Sequence, residues 1–225
     1  MRPRGIIIAI DGVVGAGKTA TAKLVAEHLG YRHIDTGAMY RAFTLAATRG
    51  DVNPGDLPAL QTLLAKLTID LLLHEQRGRV LLNEEDVSEE IRRPEINRKV
   101  GSYANIPQVR RALVAEQQRM GLAGGIVAEG RDMATVVFPD AELKIHMFAE
   151  LDERVDRRHR EMMKKGVSIG KDQLRADIEA RDIEDAERDY GVTNLDAQVT
   201  EIDTTAMTLE GQVEHIVELA RKNGA

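Results

Sequence analysis

The chain has 225 residues, 43% of them hydrophobic, with 31 basic against 37 acidic side chains and a net charge of −6. That length suits one well-cored α/β core with insertions, and the acidic balance argues against a broad electrostatic footprint for nucleic acid or an acidic membrane surface. The absence of cysteine and tryptophan and an aromatic content of 3% exclude disulfides, thiolate chemistry and the stacking platforms of a single-strand binder.

Ile6 to Ile10 is a short apolar run that reads as a buried strand. It passes through Asp11 into Gly12, Val13, Val14, Gly15, Ala16, Gly17, Lys18 and Thr19, a complete G-x-x-x-x-G-K-[ST] loop, with a helix expected over Thr19 to Leu29. Strand, loop and helix in that order predict a nucleoside-triphosphate site. The glycines let backbone N–H groups turn toward phosphate oxygens, Lys18 supplies charge to the β- and γ-phosphates, and the Thr19 hydroxyl is a direct ligand for Mg²⁺. Asp11 interrupts the apolar run, which therefore reads as neither a signal segment nor a membrane span. A soluble cytoplasmic protein without membrane or nucleic-acid partners is expected, and a monomer, since no long exposed apolar stripe stands out.

Further β-rich runs follow at Tyr31 to Asp35, Gly125 to Glu129, Leu143 to Phe148 and Val199 to Asp203, separated by helical stretches. This alternation predicts a parallel sheet covered on both faces, with ligands gathered at the carboxyl ends of the strands. Asp11, Asp35 with Thr36, and Gly130-Arg131-Asp132 stand at those ends. Thr36 is a candidate helix cap and Arg41, about a turn further on, a candidate cation for a second phosphate. Arg131 can hold phosphate bidentately, and Asp132 can accept from an exocyclic amine, which favours cytosine over uracil.

Two segments break the alternation. Leu67 to Leu73 and Gly78 to Asn83 flank a polar tetrapeptide and predict an antiparallel hairpin. Glu150 to Tyr190 is dense in both charges and turns at Gly166 to Gly170, which predicts two helices and a tip. On the second of these, Leu174, Ile178, Arg181, Asp185 and Arg188 fall on one stripe, placing charge where core is expected. On the first, Arg154 and Arg158 are like-charged neighbours four residues apart, which an interposed anion would reconcile. Salt bridges of Asp177 with Arg181 and of Glu184 with Arg188 are the alternative reading of this face. Thr208 to Lys222 predicts an amphipathic covering helix.

Asp11-Gly12 with Gly15-Ala16-Gly17-Lys18, Asp35 to Arg41, Glu85 to Arg92, Pro107 to Arg110 and Gly130 to Met133 through Thr135 to Ala141 resemble, in order and spacing, the bacterial cytidylate kinases. The resemblance continues through Arg181-Asp182, Asp185 and Arg188 to Ile202 to Thr205. It implies an α/β P-loop NTPase-type fold, a parallel five-stranded sheet flanked by helices, with a core over 1–36, 105–149 and 195–225. It also implies a nucleoside-monophosphate (NMP)-binding segment over 37–104, with an antiparallel insertion around 67–92, and a helical lid over 150–194. The implied reaction is transfer of the γ-phosphoryl group of ATP to CMP or dCMP with Mg²⁺.

Carried over by position, Gly12 to Thr19 with Ala20 take the ATP phosphates, Lys18 takes the transferring group, and Arg154 and Arg158 approach the triphosphate from the lid. Thr36, Arg41 and Arg131 hold the CMP phosphate, Arg110 and Asp132 read cytosine, Arg181 and Asp185 contact the ribose, and Arg188 is a lid cation. Lys18, Arg131, Arg158 and Arg188 form the implied catalytic set, and Glu129 orders Mg²⁺ through water. Gly101 stands where the family has a base-reading serine, with Ser102 one position later; Val13 replaces a proline and Ala134 a glycine. Gly101 keeps a different acceptor such as UMP open as the alternative, and a nucleotide-binding switch without turnover is the reading from another class.

Overall fold

A computed structural model describes residues 2–74, 77–164, 166–187 and 198–225, and it divides into two compact units, Met1–Tyr31 with Ala123–Ala225 and Arg32–Leu122. Arg188, assigned above to the lid, lies outside the described residues.

The first unit contains strands β1 (Ile7–Gly12), β6 (Ile126–Glu129), β7 (Leu143–Phe148) and β8 (Val199–Asp203). With β2 (Arg32–Asp35) they form a five-stranded parallel sheet in the order β2-β6-β1-β7-β8. Ile8 pairs with Val127 on one side and Leu143 on the other, so β1 is central. Burial on both faces explains why its sequence is a continuous apolar run rather than an alternating one. Ile6, Ile8 and Ile10 pack with Ala22, Val25 and Ala26 of α1 (Lys18–Leu29) and with Val213, Ile216, Val217 and Ala220 of α8 (Leu209–Lys222). The α8 N-terminus is capped by Thr208, whose Oγ1 accepts from Gly211 N at 3.1 Å.

Helix α1 starts after Gly17 at φ +96 and has no side-chain cap at its N-terminus. Gly17 has no side chain to cap the first N–H groups, which is the arrangement by which a helix N-terminus can receive an anion. It ends at Gly30, φ +67, whose N–H reaches Ala26 O and Glu27 O in a left-handed C-terminal turn.

The charged segment forms α6 (Leu151–Lys164) and α7 (Lys171–Glu187). Val155, Leu174 and Ile178 make a small core of their own, against which Val14 of the glycine-rich loop packs with Leu151, Met162 and Ile169. The two helices are thus seated on the loop through an apolar contact as well as through charges.

In the second unit, α2 (Thr36–Arg49) packs on α4 (Pro94–Ala104) through an edge-on contact of Phe43 and Tyr103, with ring centroids 6.0 Å apart. The expectation that Thr36 caps α2 is corrected: the cap is Asp35, in extended conformation, whose Oδ1 accepts from Ala38 N at 2.8 Å. Both residue types cap well, and the backbone turns one residue earlier than the sequence suggests. Prolines open α4 at Pro94 and α5 (Pro107–Gly121) at Pro107, where the missing N–H costs nothing. Asp56 caps α3 (Leu57–Lys66). β3 (Ile69–His74) and β4 (Arg77–Leu82) pair antiparallel, and β5 (Glu85–Asp86) adds a short third strand absent from the sequence reading. The turn into β5 places Asn83 at φ +47 and Glu84 at φ +70, the geometry that lets a two-residue connection follow strand twist.

Candidate functional site

The glycine-rich loop crosses from the end of β1 to the start of α1. Gly12 is held at φ +144, and a Cβ there would lie 1.9 Å from Met147 O. Gly15 is at φ +80 with Arg154 Cβ 3.0 Å from the corresponding position. Both glycines are required by close approach and by backbone conformation. Val13 donates its N–H to Met147 O at 3.3 Å, a bond the proline implied by the family resemblance could not make. Gly12→Ala should lower stability by about 2–3 kcal/mol, because the backbone of β7 cannot withdraw from the new methyl group. Urea unfolding checks this, and a midpoint equal to that of the parent chain contradicts it.

Lys18 is buried and donates to Gly12 O and Val13 O, each at 2.7 Å. Burial lowers its ammonium from an ordinary 10.5 to about 7, with the nearby Arg131 charge adding to the fall and Glu129, Asp11 and Asp185 opposing it. The next residue, Thr19, donates its hydroxyl to Glu129 Oε2 at 2.8 Å. Two hard oxygen donors thus lie side by side at the mouth of the loop, the donor set that Mg²⁺ takes when phosphates and water complete its shell.

The segment after β6 carries Arg131 and Asp132. Arg131 Nε binds Asp185 Oδ2 of α7 at 2.7 Å, and Asp132 is buried. Asp11 is buried beside them and accepts from Met133 N and Ala134 N, both at 2.8 Å. Burial raises its carboxyl from an ordinary 3.8 to about 6, the two N–H groups and Lys18 opposing the rise and Asp132 adding to it. The unfolded chain therefore releases this proton near 3.8 and the folded chain near 6. In that window the folded state binds more protons, so the group's contribution to stability falls as pH rises, by about 3 kcal/mol in all. Asp11→Asn should remove this slope; urea midpoints of both chains at about pH 4 and pH 7 check it, and parallel pH dependences contradict it.

From α6, Arg154 is buried and bridges Asp182 Oδ2 at 2.7 Å and Val14 O at 3.2 Å. Arg158 is 44% exposed and pairs with Glu161, so the two arginines separate, one clamped on the loop and one reaching outward. Asp177 accepts from Gln173 at 2.8 Å, and Arg181 is half-buried on α7 beside Asp182. Arg157 escaped the sequence reading: its guanidinium contacts Ala16 O, at 3.3 Å, and Thr204, whose Oγ1 also donates to Ala16 O at 3.0 Å. Its signal was the spacing of Arg154, Arg157 and Arg158, which puts all three on one helical face.

Of the predicted site residues among those described, the first unit carries Gly12 to Ala20, Glu129, Arg131, Asp132, Arg154, Arg158, Arg181 and Asp185. The second carries Thr36, Arg41, Ser102 and Arg110. Arg41 Nη2 lies 3.3 Å from Asp35 Oδ2, Thr36 is buried at the start of α2, and Arg110 is half-buried on α5. Ser102 is exposed on α4 and lines a hollow of about 320 Å³ with Thr48, Asp51, Lys99 and Tyr103.

Among solved structures, this chain is similar in fold to a gluconokinase from Sinorhizobium meliloti 1021, with a TM-score of 0.50 and 15% identity over 99% of this chain and 94% of that one. A further neighbour is an uncharacterized protein from Eubacterium ventriosum, with a TM-score of 0.52 and 11% identity over 96% of this chain and 98% of that one. In sequence it is 44% identical to a cytidylate kinase of Pelodictyon phaeoclathratiforme over 96% of this chain and 95% of the relative. It is 42% identical to one of Bacillus pumilus over 95% of each, and 40% identical to one of Lactiplantibacillus plantarum over 99% and 97%. The family model described as Cytidylate kinase matches residues 8–222, so the chain belongs to the cytidylate kinase family.

Proposed function

We propose that the protein transfers the γ-phosphoryl group of ATP to CMP or dCMP, releasing ADP and CDP or dCDP. The observation that carries the reading is the gathering of Lys18, Arg131 and Asp132 at the glycine-rich loop, with Arg131 aimed by Asp185. A phosphate oxygen of CMP attacks the γ-phosphorus, the bond from that phosphorus to the β,γ-bridging oxygen breaks, and the electron pair leaves with ADP. The attacking oxygen is already anionic, so positioning and charge stabilisation replace a general base. Gly12 to Ala20 hold the triphosphate, Lys18 follows the migrating group, and Arg154, Arg158 and Arg188 add charge from the lid over 150–194. Thr36, Arg41 and Arg131 hold the acceptor phosphate, while Arg181 and Asp185 hold the ribose. The nucleoside-monophosphate segment spans 37–104, and the enzyme acts as a cytoplasmic monomer. Thr19, directly, and Glu129, through water, would hold Mg²⁺. When bound, the ion neutralises charge on the β- and γ-oxygens.

Arg110 and Asp132 select the base, with Ser102 the nearest serine to the position taken by Gly101. A buried carboxylate accepts from the cytosine amine and repels the uracil carbonyl, so UMP is the weaker acceptor. Asp132→Asn supplies an amide donor and should narrow the CMP-to-UMP preference in kcat/KM by about tenfold or more. An unchanged ratio removes Asp132 from base selection. The reading as a whole is tested by ADP release over CMP, dCMP, UMP, AMP and GMP. CMP and dCMP should lead; preference for another acceptor, or ADP release independent of any acceptor, overturns it.

A further inference from the structure

We infer that Asp11 is a positioning residue for the acceptor side of the reaction, acting through its grip on the backbone of residues 133 and 134. The inference rests on the kinase reading above and deepens it. Asp11 is 5% exposed and stands on β1 immediately before the glycine-rich loop. Its two carboxylate oxygens take one N–H each, Oδ1 from Met133 and Oδ2 from Ala134, both at 2.8 Å. These N–H groups open the short helical turn Met133–Val137, whose leading residue, Asp132, provides no side-chain cap. No earlier turn of that helix exists to receive them, so Asp11 satisfies donors that would otherwise be buried without an acceptor.

The neighbouring residue completes the grip. Ile10 O accepts from Gly130 N at 3.0 Å. Consecutive residues of β1 therefore hold both ends of the segment from 130 to 134, and Arg131 and Asp132 lie between the two anchors. Because β1 runs directly into Gly12, one strand sets the spacing between the loop that holds the donor and the pair that meets the acceptor. Displacement of a reacting group by about 1 Å can cost about 10²-fold in rate, which gives such an anchor catalytic weight without contact with substrate. The pairing also explains the choice of residue. Two donors facing one side chain need two acceptors; asparagine offers one and turns its own N–H groups against the other donor.

Initial-rate kinetics of Asp11→Asn, with ATP and CMP varied separately, test the role. The KM for CMP should rise about tenfold or more while that for ATP changes by less than about threefold. A purely structural defect lowers the folded fraction and hence apparent kcat, leaving both KM values unaltered, and that result overturns the inference. If the variant does not fold, hydrogen exchange of the parent protein decides: the amides of Met133 and Ala134 should exchange as slowly as those of Ile8 and Ile10, and rapid exchange overturns the inference. Failure of the kinase reading is distinguishable, because the parent protein itself would then show no CMP-dependent turnover.

Discussion

Replacing Lys18 by methionine should lower kcat for CMP phosphorylation by about 10³-fold while leaving the fold intact. The side chain is 7% exposed and its ammonium bridges Gly12 O and Val13 O at 2.7 Å, so methionine fills the same volume without the charge. Burial has already lowered the affinity of this amine for its proton, to a value of about 7. A charge held at such a cost is poor evidence for a stabilising role and good evidence for a functional one, since a phosphate oxygen arriving beside it restores full protonation. The melting temperature should therefore remain within about 3 °C of the parent, even as turnover is lost. Steady-state rates and thermal unfolding on one preparation check both halves. Turnover above about a tenth of the parent value contradicts the role given to the lysine.

Arg131→Met should cost about 10³-fold in kcat/KM, and Arg131→Lys should recover little of it. Arg131 and Asp185 form a pair whose side chains are 24% and 15% exposed. With Arg131 on the acceptor phosphate as proposed, removing the arginine would do two kinds of damage: it would withdraw a planar two-pronged donor from that phosphate, and it would leave the Asp185 carboxylate partly buried beside an anion of the same sign. Lysine restores the charge without the fork. Kinetics of both variants with CMP provide the check, and near-parent rates from the lysine variant would show that charge alone is required at this position.

The sheet and the glycine-rich loop were legible in the sequence because their signals are local. Ile6 to Ile10 needs only its own apolarity to declare a buried strand, and the loop's glycines and lysine sit within eight consecutive positions, Gly12 to Thr19. The cap of α2 was misplaced by one residue because Asp35 and Thr36 are both good caps, and only the backbone conformation at Asp35, φ −82 and ψ 93, separates them. β5 was missed because two residues leave no periodicity to read. The partners in the site were hidden for a different reason. Asp182 meets Arg154 across two helices, and Asp11 meets Met133 and Ala134 across 122 and 123 residues. Residue type announced that each of these groups had to be paired; only the fold chose with what. Arg154 illustrates the consequence. Its spacing to Arg158 suggests two cations facing one anion, and the fold adds partners that no local pattern announces, Val14 O for Arg154 and Glu161 for Arg158.

Transfer of label from γ-labelled ATP tests the central claim most directly. With Mg²⁺ and CMP present, the label should appear in the terminal phosphate of CDP in step with ADP formation, and UMP in place of CMP should accept it far more slowly. Label released only as inorganic phosphate, or carried to UMP as readily as to CMP, would contradict the account.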